Sequence, residues 1–180
     1  MSMKISRLVK EGVLVRLRRD FFCLGLKHSQ KLIEHGVIAN ALYGPSYVSF
    51  ETALSLYGLI PERTYLTMSA VIRHGKYYKT PFGSFGYYQV PENVWGIGVR
   101  VEHTANGTYM MANPTKALCD TLLRKHRLRI TSPKSLRDFL EVDMRFDFDY
   151  LEKPDADVLR AYVSCGRKRR LFSALERMFS

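Results

Sequence analysis

YVSFETALSLYGLIPE, residues Tyr47 to Glu62, reads as a short helix with a marked start and a marked stop. Ser49 is a good N-cap, because its hydroxyl can accept an orphan backbone N–H of the turn that follows. Glu51 falls in that first turn, where the helix dipole favours an acid. Phe50, Ala53, Leu54 and Tyr57 stand at i, i+3, i+4 and i+7, a single apolar stripe. Gly58 supplies a left-handed residue to stop the helix, and Pro61 blocks a restart. The stretch specifies a capped helix with one buried face. It specifies no chemistry.

Downstream, apolar alternation takes over. Segments 64–72, 76–80, 84–90, 95–102 and 108–112 are rich in β-branched and aromatic residues and read as strands. Pro81-Phe82-Gly83, Pro91-Glu92-Asn93 and Asn106-Gly107 punctuate them, the last being the sharpest hairpin signal in the chain. Helices return afterwards. Asn113-Pro114 pairs an N-cap with proline at the first helical position. Ala117, Leu118, Thr121 and Leu122 are expected to face inward and Lys116, Arg124 and Lys125 outward, with Asp120 beside the inward stripe. Ser132-Pro133 opens another capped helix over Leu136, Phe139 and Leu140, and 155–163 and 171–179 give two last amphipathic helices. Strands in a run between helices predict an α+β fold with a mostly antiparallel sheet and flanking helices.

Upstream, residues 4–11 read as a helix with Ile5, Leu8 and Val9 inward, and Gly12 ends it. Residues 13–17 and 21–24 then form two strands around an Arg18-Arg19-Asp20 turn. A basic helix followed at once by a basic hairpin is how a winged helix-turn-helix ends, as recognition helix and wing. Such a module needs two further helices ahead of Lys4, so residues 1–27 read as a truncated remnant or as a start at a late methionine. A helix and hairpin simply packed on the main domain, residues 28–180, is the competing reading. Residues 30–43 predict a further helix with Leu32, Ile33, Val37 and Ala41 on one face, broken by Gly44-Pro45.

Of the compositional signals, the formal charge of +11 over 180 residues is the strongest, and it points to a polyanion: nucleic acid or an acidic protein face. The positive residues cluster. Lys4, Arg7, Lys10, Arg16, Arg18 and Arg19 stand near the start, and Arg167, Lys168, Arg169 and Arg170 near the end; all ten are candidate DNA contacts. Acids crowd between Asp138 and Asp157, so the charge is divided into faces. No apolar run approaches the ~20 residues that span a bilayer, and the first twenty positions are too charged for a signal peptide. A cytoplasmic protein is expected, with Cys23, Cys119 and Cys165 reduced.

The search for reactive chemistry returns little. The five histidines are scattered, and no CxxC pair exists, so no metal site or cofactor is expected. No nucleophile elbow or phosphate-cradling loop is present, since Gly96-Ile97-Gly98 lacks a third glycine. The Gly-Ser and paired aspartates of a nucleotidyltransferase would have to be Gly83-Ser84 and Asp147 with Asp149, which lie far apart in sequence. The rings at Tyr77, Tyr78, Phe82, Phe85, Tyr87, Tyr88 and Trp95, interleaved with Arg73, Lys76 and Lys79, could stack unpaired bases. Ring packing across a half-buried sheet accounts for them better.

Four segments in order carry a resemblance. They are Tyr47 to Glu62, Tyr78-Lys79-Thr80-Pro81-Phe82-Gly83, Val94-Trp95-Gly96-Ile97-Gly98, and the run from Ala112 to Asp120. Together they resemble the AbiEi-type antitoxins of type IV toxin–antitoxin systems, over about residues 13–125. The resemblance implies a non-enzymatic antitoxin that counters a nucleotidyltransferase-type toxin, with operator DNA as a partner and autoregulation through the winged helix. It also implies that an acid at Asp120 belongs to the pattern and holds a structural partner such as an arginine or a backbone N–H. The alternative is a nucleic-acid-binding transcriptional regulator without a toxin partner.

Overall fold

A computed structural model describes residues 3–25, 27–28, 34–105, 107–126, 128, 130–151 and 153–180. The chain begins with α1 (Met3–Lys10), the hairpin β1 (Leu14–Arg18) and β2 (Phe21–Leu24), α2 (His35–Leu42), β3 (Ser46–Val48) and α3 (Phe50–Leu56). It continues through β4 (Leu66–Val71), β5 (Lys76–Thr80), β6 (Gly83–Gln89), α4 (Glu92–Trp95), β7 (Val99–Thr104) and β8 (Gly107–Ala112). Helices α5 (Pro114–Arg124), α6 (Pro133–Asp138), α7 (Ala156–Ser164) and α8 (Arg169–Phe179) close it. A π turn extends α6 over Phe139–Asp143, and a 3-10 turn follows at Phe148–Tyr150.

The expected α+β class is what the chain adopts. The main sheet has the order β5-β6-β4-β3-β8-β7. Its pairs β5/β6, β3/β4 and β7/β8 are antiparallel, but β4/β6 and β3/β8 are parallel, so the sheet is mixed. Two features outside the sequence reading account for this: β6 rather than β5 lies beside β4, and β3, three residues that are all buried, is inserted between β4 and β8 at the centre of the sheet. A strand this short carries no periodicity to read.

Both helix stops use glycine in the left-handed region. At the end of α3, Gly58 (φ 73°) donates its N–H to Ser55 O, and Leu59 donates to Leu54 O at 2.9 Å. At the end of α1, Gly12 (φ 73°) donates to Val9 O, and Val13 to Leu8 O at 2.9 Å. Both pairs are Schellman closures, satisfying carbonyls that the helix leaves open. The stripe Phe50, Ala53 and Leu54 is buried as expected, each large apolar side chain contributing about 1.5–3 kcal/mol. Phe50 itself sits at φ 58°, a strained setting for a bulky residue, and its ring packs edge-on against Tyr88.

Three local expectations need correction. In α2 the buried face is Gly36, Ile38, Ala39 and Leu42, while Ala41 is exposed and Val37 only half-buried. The helix lies close on the sheet through its small residues, since a Cβ at Gly36 would come within 2.4 Å of the Tyr109 ring. Gln30, Leu32 and Ile33 lie outside the described residues, as does Asn106 of the hairpin turn. Trp95 is not in a strand; Pro91 and Glu92 start α4, which turns the indole onto Tyr47, with ring centroids 5.6 Å apart. Lys116 does not face outward. It is wholly buried.

Candidate functional site

Lys116 and Asp120 occupy successive turns of α5, so helical geometry places them on one face. Asn113 anchors that helix by accepting the Lys116 N–H at 2.8 Å, as its N-cap position predicts. Facing them are Tyr47 from β3, Ser49 from the junction of β3 and α3, Tyr162 from α7, and the Val94 carbonyl of α4. Asp120 Oδ2 accepts the Tyr47 hydroxyl at 3.0 Å and the Ser49 hydroxyl at 2.7 Å. Its Oδ1 accepts Tyr162 and lies 3.7 Å from the Lys116 ammonium. Lys116 Nζ in turn donates to Tyr162 Oη at 2.8 Å and to the Val94 carbonyl, and it lies over the Tyr47 and Tyr162 rings.

Ser49 therefore departs from its expected role. It stands at the N-cap of α3, yet its side chain caps nothing and donates to Asp120 instead. A buried carboxylate left without donors costs free energy, and Ser49 supplies one of them. The partner of Asp120 is likewise not an arginine or a backbone amide but a lysine and a set of hydroxyls. Burial pushes the Tyr47 and Tyr162 hydroxyls well above their usual range, with Asp120's charge adding to it. Burial pulls Lys116 down, against the opposing charge of Asp120. All of these side chains are closed off from solvent. Such a cluster ties four elements together, and no substrate can reach it.

The surface carries the positive charge. Lys4, Arg7, Lys10, Arg16, Arg18 and Arg19 are all exposed, on α1, β1 and the turn after it. Arg7 pairs with Glu11 at 3.3 Å and Arg19 with Asp20 at 3.6 Å, while Arg18 lies over the Phe21 ring. Ile5, Leu8 and Val9 are half-buried, and Leu17 of β1 is buried in the main apolar cluster. At the far end Arg167, Arg169 and Arg170 are exposed, but Lys168 is not equivalent to them. Its ammonium reaches back to the carbonyls of Leu122, at 2.8 Å, and Lys125, at the C-terminus of α5.

The aromatic cluster packs on itself. Tyr87 meets Tyr78 and Tyr43 edge-on, with centroids 5.9 and 5.2 Å away, and Lys76 lies over Tyr43. Tyr77 stands apart at 61% exposed. An open groove of about 760 Å³ runs between the start of α2, α3 and the β5–β6 turn, lined by His35, Thr52, Arg63, Phe82 and Tyr109 among others. Among the described residues no group of three or more His, Cys, Asp or Glu is placed to hold a metal, and no helix is long and apolar enough to cross a membrane. Gly83-Ser84 opens β6, whereas Asp147 spends its carboxylate on the Asp149 N–H in the 3-10 turn.

No family model and no curated protein matches the chain.

One feature of the sequence marks the buried pair. Lys116 and Asp120 are spaced i, i+4 within a stripe whose neighbours, Ala117 and Thr121, are core residues. Tyr162, distant in sequence, carries no such mark.

Proposed function

We propose that this chain is a non-enzymatic, antitoxin-like protein of the cytoplasm that counters a nucleotidyltransferase-type toxin. One observation supports the reading above the others: segments that carry the resemblance to AbiEi-type antitoxins meet at a single buried hub. Tyr47 and Ser49 come from the first, Val94 and Trp95 from the third, and Lys116 and Asp120 from the last. Those residues maintain a scaffold, and the work is left to the surface. Whether that surface meets the toxin or the toxin's target, the decisive test is rescue: co-expression with a nucleotidyltransferase encoded beside this chain should restore growth. Failure of rescue by a well-folded chain would remove the reading.

A second reading, a nucleic-acid-binding transcriptional regulator without a toxin partner, draws on the six exposed cations of α1, β1 and the turn that follows. Contacts to phosphate would make affinity fall steeply with salt. Duplex carrying the upstream operator, titrated at several salt concentrations, tests it; no binding at low salt would exclude it. Autoregulation of the operon belongs to the first reading, with the same cations placed on operator DNA.

A further inference from the structure

We infer that the exposed edge of β7 is a self-complementary seam through which two copies of this chain join their main sheets. Strand β7 ends the strand order, so among the described residues one side of its backbone has no neighbour in the sheet. Which residues face outward follows from the pairing with β8. Asn113 N–H donates to Gly98 O at 2.7 Å, continuing the β7/β8 register by one pair and marking 98/113 as a hydrogen-bonded pair. Pairs then alternate along an antiparallel ladder, so Arg100/Met111 and Glu102/Tyr109 bond inward and Val101/Met110 does not. The Met110 N–H agrees, since it turns away from Val101 to donate to Asn40 Oδ1 at 2.6 Å. The amide and carbonyl groups of Val99, Val101 and His103 therefore point out of the sheet.

A second copy can meet those groups in antiparallel pairing about a two-fold axis at Val101. Val101 then bonds its own counterpart, and Val99 bonds His103 of the other copy. Between them Arg100 stands opposite Glu102, twice, in the non-hydrogen-bonded positions where side chains approach most closely. The register is selected by charge. Sliding the pairing by one step in either direction sets Arg100 against Arg100 or Glu102 against Glu102, which like-charge repulsion disfavours. In the single chain Arg100 and Glu102 already share one face at 2.9 Å, so the dimer closes a four-charge ladder. Val101, 53% exposed, gains cover at the axis.

The opposite edge is guarded. Strand β5 exposes Lys76 and Lys79, the residue type that natural edge strands use to repel a partner. Strand β7 has no lysine and no proline. A seam of one short strand covers less surface than a permanent interface, so the dimer forms weakly and depends on concentration.

The test is sedimentation equilibrium of the full chain up to about 1 mM, the range where weak association is measurable. The unaltered chain should dimerise, and the amide protons of Val101 and His103 should exchange more slowly as concentration rises. R100E and E102R should each weaken self-association by about tenfold or more. An equimolar mixture of the two should recover it as a heterodimer, because each Glu then faces an Arg. A purely internal role for the Arg100–Glu102 pair would leave the mixture no better than its parts. Should R100E fail to fold, V101K decides the matter, since two ammonium groups would then face each other at the axis and dimerisation should vanish. A chain that is monomeric throughout, or a dimer indifferent to these substitutions, would overturn the inference.

Discussion

The ammonium of Lys116 lies 3.7 Å from the carboxylate of Asp120, and neither side chain touches solvent. Desolvating two charges is expensive, and their attraction offsets it only when further hydrogen bonds occupy the remaining donors and acceptors. Tyr47, Ser49, Tyr162 and the Val94 carbonyl provide those bonds. The pair is thus held by residues from β3, α4 and α7, and it in turn fixes how those elements meet α5.

Breaking the pair should cost far more than replacing it. Asp120→Ala leaves the Lys116 ammonium buried without its counter-charge, a loss of about 3–5 kcal/mol. Tyr162→Phe, which removes one hydroxyl shared by both, should lose about 1–3 kcal/mol. The double substitution Lys116→Met with Asp120→Leu should lose less than the sum of its single changes, because no charge is stranded. Urea unfolding of these variants, together with the single changes Lys116→Met and Asp120→Leu, measures the losses. Additive losses would show that the two charges do not depend on each other.

Within one glycine-rich segment the two glycines should behave oppositely. Gly98 sits at φ 71°, and a Cβ there would come within 2.5 Å of Val158 Cγ2 and 3.2 Å of Lys116 Cβ. Gly98→Ala should therefore destabilise by about 2–4 kcal/mol, from backbone strain and overpacking together. A Cβ at Gly96 meets nothing within 4 Å, and Gly96→Ala should be nearly neutral. Equal thermal midpoints for the two variants would contradict the packing described around Gly98.

Charge reversal near the C-terminus should separate binding from folding once Lys168 is left alone. Glutamate at Arg167, Arg169 and Arg170 should weaken retention on heparin while circular dichroism stays unchanged, since all three are exposed. Lys168→Ala should instead lose about 1 kcal/mol of stability, because its ammonium closes the end of α5 through the carbonyls of Leu122 and Lys125. Unchanged heparin elution of the triple variant would exclude this end as a polyanion contact.

Alkaline pH should destabilise the fold, from about 9.0 through the buried Cys119 thiol, which burial raises, and more steeply above 10. Burial raises Tyr47, Tyr87 and Tyr162 above the usual 10.0, and pushes Tyr57 up to about 12 although Arg100 hydrogen-bonds to it. Above pH 10 the unfolded chain releases these protons while the folded chain keeps them, so stability falls as pH rises, for Tyr57 through about 12. Lys116 acts in the other direction. With its folded pKa depressed, the unfolded chain binds the extra proton below 10.5, and that penalty fades as pH approaches 10.5. Four tyrosines outweigh one lysine. Unfolding free energy measured from pH 8 to 11.5, with tyrosinate absorbance alongside, should show a decline that steepens above 10; a flat profile would count against the burial of these hydroxyls.

Much of the architecture was local, and so legible. Gly58 and Gly12 stop their helices where the sequence says, and Asn113 caps α5, because a left-handed residue or a capping amide acts within a few positions of itself. The spans of β5, β6 and β8, the amphipathic last helix and the α+β class followed from patterns repeating over one element. The misread polar side chains share one cause: the role of each was set by a residue far along the chain. Ser49 gives its hydroxyl to Asp120, Lys116 turns inward because Tyr162 and Val94 receive it, and Lys168 reaches back to the carbonyls at the end of α5. Sequence alone determined the class of fold, the glycine stops of α1 and α3, the cap of α5 and the division of charge. Only tertiary structure decided which polar groups are buried and the order of the strands, because desolvation and hydrogen bonding depend on what the folded chain brings alongside.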